Sequence, residues 1–296
     1  MPDQAEPLRQ LLREQKTKEL STSSNLRLIA VASGKGGVGK SNITLNLGLL
    51  LAQQGMRIAI LDADFGFANL DILLGVRPHY SLMDVLDGHV TLQQAFTHGP
   101  YNLAFISGGA EHVFELNSRS IYGKRLTEQL IAVQGEYDRI YIDFGAGFGT
   151  FTAELMGLCD ELLLVTTPEP TALADAYALL KMVAKTLSLP PVHLLINRAA
   201  KVADGMDAGR KLTRVTQQFL HAELNVLGYV LEDAAVQRAV AKQTPFTLSE
   251  PRSLATRCMS QIAKNVTKGV YESSGESLEK KRGLQGFFQR FLRESH

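Results

Sequence analysis

The chain has 296 residues, 45% of them apolar, enough to fill the core of one large α/β domain or two small ones. With 31 basic residues against 30 acidic ones, no global charge draws it to nucleic acid, and any such attraction would need a local patch. Its two cysteines, Cys159 and Cys258, stand too far apart for a metal motif or a disulfide framework, and neither a signal peptide nor a membrane-spanning apolar run is evident, so the expected setting is a reducing cytoplasm.

Residues 1–25 carry a short apolar stripe at Leu8, Leu11 and Leu12 and end in the polar run STSSN, which reads as an appendage. The first predicted strand, LRLIAVAS (26–33), runs into SGKGGVGKSN and then an apolar helix over 40–54. Gly34-x-x-x-x-Gly39-Lys40-Ser41 matches the P-loop pattern, in which backbone N–H groups at a helix N-terminus surround phosphate oxygens. Side chains would block that approach, so Gly34, Gly36, Gly37 and Gly39 keep the loop bare, and Val38 and Asn42 complete the nucleotide-binding stretch. Lys40 is expected on the β- and γ-phosphates, and the Ser41 hydroxyl on Mg²⁺. Lys35 is a second cation close to Lys40, a costly placement unless a dense negative charge such as a polyphosphate lies between them.

Further strands are predicted at 57–63, 102–107, 138–143, 161–167, 191–197 and 225–231, with helices at 118–134, 171–187, 207–221 and 251–270. Strands apolar on consecutive positions, separated by crossover lengths, predict an α/β fold: a doubly wound, mostly parallel sheet with helices on both faces. Acids end two of the strands. Asp62 and Asp64 follow the second, and Asp143 ends the hydrophobic RIYID, the arrangement that holds a metal-bound water. Residues 272–283, ESSGESLEKKRG, are too polar to pack and read as a linker. Beyond them Leu284, Phe287, Phe288, Phe291 and Leu292 fall on one helical face beside basic residues, a pattern suited to a bilayer interface with anionic headgroups and equally to a terminal helix docked on the protein's own core or on a partner.

GKGGVGKS resembles the deviant Walker A motif of the MinD/ParA ATPases. That resemblance implies that Lys35 reaches across an ATP-bound homodimer to the partner's nucleotide. It further implies that LDADFGFANLD is switch I, with Asp62 supporting Mg²⁺ and Asp64 aligning the attacking water, and that Asp143 is the Walker B acid. The family places a Ser or Thr where Phe144 stands, so switch II is expected to sense the nucleotide through Gly145 and Gly147. LLINRA resembles the adenine-contact strand end, with Asn197 and its neighbour Arg198 near the base, and VLEDAAV resembles a following segment whose Glu232 and Asp233 adjoin the nucleotide. The implied cofactors are ATP or ADP and Mg²⁺.

The start Asp3-Gln4-Ala5-x-x-Leu8-Arg9 resembles the activator motif of the FlhG (FleN, YlxH) branch, regulators of flagellar number. In that branch the segment stimulates the partner GTPase FlhF, and other contacts reach the flagellar switch complex, or C-ring. Lys181 and Phe219 are the partner-surface candidates. Expected boundaries are an activator-like segment over 1–25, the ATPase domain over 26–271, the linker over 272–283 and a membrane-targeting helix over 284–296. The chain is then expected in the cytoplasm, peripheral on the membrane in its ATP state, with no direct contact to nucleic acid. A MinD-like division-site ATPase shares the tail but not the N-terminal motif. A ParA-like DNA-partitioning ATPase would need a basic face and has no use for the tail. A metal-cluster carrier would need clustered cysteines, and a small-molecule kinase has no use for Lys35.

Overall fold

The computed structural model describes residues 26–65, 70–109, 121–145 and 149–267. Its strands are β1 (Arg27–Ala32), β2 (Ile58–Ala63), β3 (Thr97–His98), β4 (Ala104–Ile106), β5 (Arg139–Phe144), β6 (Glu161–Thr166), β7 (Val192–Ala199) and β8 (Leu224–Leu231). They form one eight-stranded sheet in the order β3-β4-β2-β5-β1-β6-β7-β8. Every pairing is parallel except β3 with β4. The antiparallel edge and the short 3₁₀ turn at Pro100–Asn102 replace the start of the strand expected at 102–107.

Alternation along each central strand supplies both cores. Leu28, Ala30 and Ala32 of β1 join Ala59 and Leu61 of β2 and Ile140 and Ile142 of β5 on one face. Ile29 and Val31, Ile58 and Ile60, and Tyr141 point to the other. Consecutive apolar residues are therefore required, because a parallel sheet covered on both faces has no wet side.

The helices are α1 (Lys40–Gln53), α2 (Leu70–Leu74), α3 (Leu82–Asp87), α4 (Leu92–Ala95), α5 (Ile121–Ala132), α6 (Thr150–Leu158), α7 (Pro170–Thr186), α8 (Val202–Leu220), α9 (Ala234–Ala241), α10 (Phe246–Ser249) and α11 (Leu254–Thr267). Helix α1 is apolar nearly all round and buries Ile43, Leu45, Leu47, Leu49 and Leu51, which fits a helix held between the sheet and α11. The chain leaves β1 toward β2 on one side, while β6 to β8 extend on the other. This reversal opens a crevice at the C-terminal end of β1, where such sheets bind ligands.

The opposite, N-terminal ends of β1, β6, β7 and β8 carry a partly buried ladder of charged and polar groups. Glu161, 2% exposed, pairs with Arg27 at 3.2 Å and lies 3.6 Å from His193 Nε2, whose Nδ1 meets the Asn225 amide at 3.2 Å. Burial pushes the Glu161 carboxyl up to about 7, against the pull of Arg139 and Arg27, and pushes His193 down to about 4. A carboxyl raised on folding gives stability that is complete below its unfolded value and lost as pH rises through the folded one. Glu161→Gln does not titrate, so its stability relative to wild type is expected to rise between pH 4.5 and 8 by about 2 to 3 kcal/mol. Urea unfolding at both pH values checks this, and a pH-independent difference would contradict it.

Candidate functional site

The loop after β1 runs along the start of α7. A β-carbon built on Gly34 would lie 2.1 Å from the Asp175 carbonyl carbon and 2.4 Å from Ala176 N, so only glycine permits this approach. Gly39 then turns the chain into α1 in a left-handed conformation. Lys40, on the first turn of α1, is buried and donates from Nζ to Asp143 Oδ1 at 2.5 Å. Asp62 and Asp143 face each other in register at the C-terminal ends of β2 and β5, both fully buried.

Oδ1 of Asp62 accepts from Asp64 N at 3.0 Å. Asp143 Oδ2 is buried without a hydrogen-bond partner, a cost that a bound cation would relieve. Two carboxylates and the Ser41 hydroxyl make an all-oxygen donor set, which fits Mg²⁺. Asp64 sits half-buried where β2 ends. Burial raises its carboxyl above the usual range, Lys40 opposing and Asp143 adding to the shift. A β-carbon on Gly145 would lie 2.4 Å from Asp64 Oδ1, so the carboxylate packs directly against the residue that follows β5. Phe65, just after Asp64, meets Phe151 of α6 edge to face, their centroids 5.8 Å apart.

Phe144 is the last residue of β5, paired with Ala63 and 2% exposed. It belongs to the core. Gly147 lies outside the described residues, as do residues 1–25 and the tail with Leu284, Phe287, Phe288, Phe291 and Leu292.

Lys35 behaves unlike Lys40. Its side chain is 43% exposed and reaches Glu169 Oε2 at 3.0 Å and Thr171 Oγ1 at 3.3 Å, at the N-terminus of α7. Both contacts cross more than a hundred residues of sequence and escape motif reading. Asn197 ends the regular part of β7 and donates to Val38 O at 2.8 Å, fixing the P-loop from the adenine side of the expected site. Arg198 follows in a left-handed conformation at an irregularity in the β7–β8 pairing, and is exposed.

Asp233 has a structural task that its spacing did not reveal. One carboxylate oxygen accepts from Ala235 N and caps α9, and the other accepts from Leu254 N and Ala255 N at the start of α11. Those three backbone donors occupy the group that was expected beside the nucleotide. Glu232 N donates to Ala199 O, and its side chain is exposed. Lys181 on α7 and Phe219 on α8 are both exposed, Phe219 to 61%.

A family model described as ParA, NUBPL iron-transfer P-loop NTPase, matches residues 25–267. The antiactivator FleN of Pseudomonas aeruginosa is 34% identical over 251 residues, spanning 84% of this chain and 89% of its own. The flagellum site-determining protein YlxH of Helicobacter pylori is 31% identical over 299 residues, 99% of either chain. In fold, the septum site-determining protein MinD of Pyrococcus horikoshii OT3, solved with Mg-ADP, superposes with a TM-score of 0.69 at 27% identity, covering 82% of this chain and 96% of the other. As to the iron-transfer description, the described residues contain no group of three or more His, Cys, Asp or Glu able to hold a metal ion, and Cys159 is buried.

Proposed function

This chain belongs to the ParA/MinD family of P-loop ATPases, and we propose that it is a nucleotide-driven dimer that controls flagellar number and placement from the membrane surface. The observation that carries the dimer is the separation of the two P-loop lysines. Lys40 is buried beside Asp143, while Lys35 stays exposed at the mouth on a single carboxylate. An exposed ion pair of this kind is worth little, so a polyphosphate presented by a second subunit competes with Glu169 easily.

Lys40 and the P-loop N–H groups would hold the β- and γ-phosphates of the chain's own ATP. Mg²⁺, held through Ser41, Asp62 and Asp143, would neutralise phosphate charge. Asp64 would accept a hydrogen bond from the attacking water and align it with the γ-phosphate, which is most of what phosphoryl transfer asks of a protein. Gly145 bears on that carboxylate, so a change at switch II is felt directly by the group that aligns the water. Asn197 and Arg198 would flank the base.

Similarity to FleN and YlxH supports the flagellar assignment. In this reading Asp3, Gln4, Ala5, Leu8 and Arg9 engage FlhF and stimulate its GTPase, and Lys181 and Phe219 face the C-ring proteins. The protein resides in the cytoplasm, and two Phe-rich tails on one dimer hold the anionic membrane far better than one, because the second binds at high effective concentration.

Liposome sedimentation with ATP, ADP and no nucleotide tests the membrane step on the full chain and on a chain truncated after Glu279, alongside FlhF GTPase with a peptide of residues 1–25. Tail-dependent sedimentation with ATP and a faster GTPase are expected. Membrane binding with an inert peptide would favour a MinD-like positioning role, and liposomes ignored in every state would overturn the membrane switch.

A further inference from the structure

The apolar run of helix α1 carries two fully buried polar residues, Thr44, whose hydroxyl donates to Lys40 O within the helix, and Asn46. The side-chain carbonyl oxygen of Asn46 accepts from Thr247 N at 3.0 Å and from Thr247 Oγ1 at 2.8 Å, in α10. A backbone N–H donates and nothing else, so this contact fixes which end of the Asn46 amide faces which neighbour. The NH₂ end is thereby turned toward the first turn of α1, where it donates to Asn42 O at 2.8 Å and to Asn42 Oδ1 at 2.7 Å. Asn42 must offer its oxygen to Asn46, so its own NH₂ is not the group that meets Asn46.

Asn42 is half-buried and directly follows Ser41 at the helix N-terminus. An outward oxygen there would repel phosphate, whereas an outward NH₂ is a donor that suits it. We propose that Asn46 is a positioning residue for nucleotide binding: anchored by Thr247, it holds the Asn42 amide with its NH₂ turned to the phosphate chain. The polar link also ties the P-loop to α10, the segment that leads into α11, so the same bond connects the nucleotide site with the last described helix. The inference rests on the nucleotide reading of the P-loop given above.

The test is calorimetric titration of Mg-ADP and Mg-ATP into the full chain as wild type, Asn42→Asp, Asn42→Ala, Asn46→Ala and the double alanine variant, with Lys40→Ala as control and thermal melts of each. Asn42→Asp keeps the shape and the acceptor for Asn46 but turns a carboxylate outward, and a loss of about 30-fold or more in affinity is expected. Asn46→Ala is expected to cost about 10-fold alone and under about 2-fold on the Asn42→Ala background, because it acts through Asn42. Additive losses, or an Asn42→Asp chain that binds like wild type, would overturn the proposal. Where Asn46→Ala fails to fold, Asn42→Asp still decides it, since that side chain is outside the sealed core. A wild type that binds neither nucleotide would overturn the P-loop reading itself.

Discussion

Gly34→Ala is expected to lower ATP affinity by about 100-fold or more and to destabilise the fold by about 2 to 4 kcal/mol. The added carbon would meet the Asp175 carbonyl carbon at 2.1 Å and its oxygen at 2.2 Å. Both belong to the backbone of α7, which cannot rotate away as a side chain would, so the loop must move and carry Lys35 with it. The contact also joins P-loop geometry to α7, the helix whose start holds Glu169 and Thr171 and whose surface presents Lys181. Gly37→Ala provides the contrast. Its β-carbon meets nothing within 4 Å, and only its left-handed backbone, at φ +76°, is strained, at a cost of about 1 to 2 kcal/mol. Calorimetry and thermal melts on the two variants separate a steric lesion from a conformational one. Equal effects of the two substitutions would show that the approach to α7 is unimportant.

Asp64→Ala is expected to reduce kcat by about 100-fold or more while ATP still binds, since aligning or deprotonating water by a placed carboxylate is worth about 10² to 10⁴. Its carboxylate must be ionised to accept from water. Burial raises it above the ordinary carboxylate range in the nucleotide-free chain, with Lys40 opposing and Asp143 adding, so wild-type kcat/KM should begin to fall at a higher pH than a solvent-exposed aspartate would dictate. Single-turnover hydrolysis across the acid range reads both effects. A variant with wild-type kcat, or one that loses ATP affinity in step with kcat, would remove Asp64 from the water-aligning role.

Where function is written in one short run, the residues reveal it. Strand, GKGGVGKS and helix stand in the order that a phosphate cradle needs, and the acids Asp62 and Asp143 end adjacent strands, which the pairing of β2 with β5 brings into register. Where function depends on contacts far apart in sequence, the pattern is silent. Glu169 and Thr171 lie more than 130 positions from Lys35, and nothing in PEPT marks them as its partners. Asp233 was expected beside the nucleotide, but one of its oxygens caps α9 and the other serves a helix that begins 21 residues later. Phe144 looks like a departure within a switch, yet the fold uses it as the last core residue of its strand. Short elements were also illegible: β3 has two residues, too few for any periodicity, and α6 is a nine-residue helix that the glycine-rich sequence GAGFG precedes. Asn46 did carry a signal, since an amide in the middle of a helix's apolar run must find partners. What those partners are only the packing of α10 on α1 discloses.

The most direct measurement is the solution mass, by light scattering, of the full-length Asp64→Ala chain with ATP, with ADP, and with ATP after Lys35→Ala is added. A dimer with ATP, and monomers in the other two cases, is the predicted result. A monomer with ATP, or a dimer that forms without Lys35, would contradict an ATP-gated dimer held by the exposed P-loop lysine.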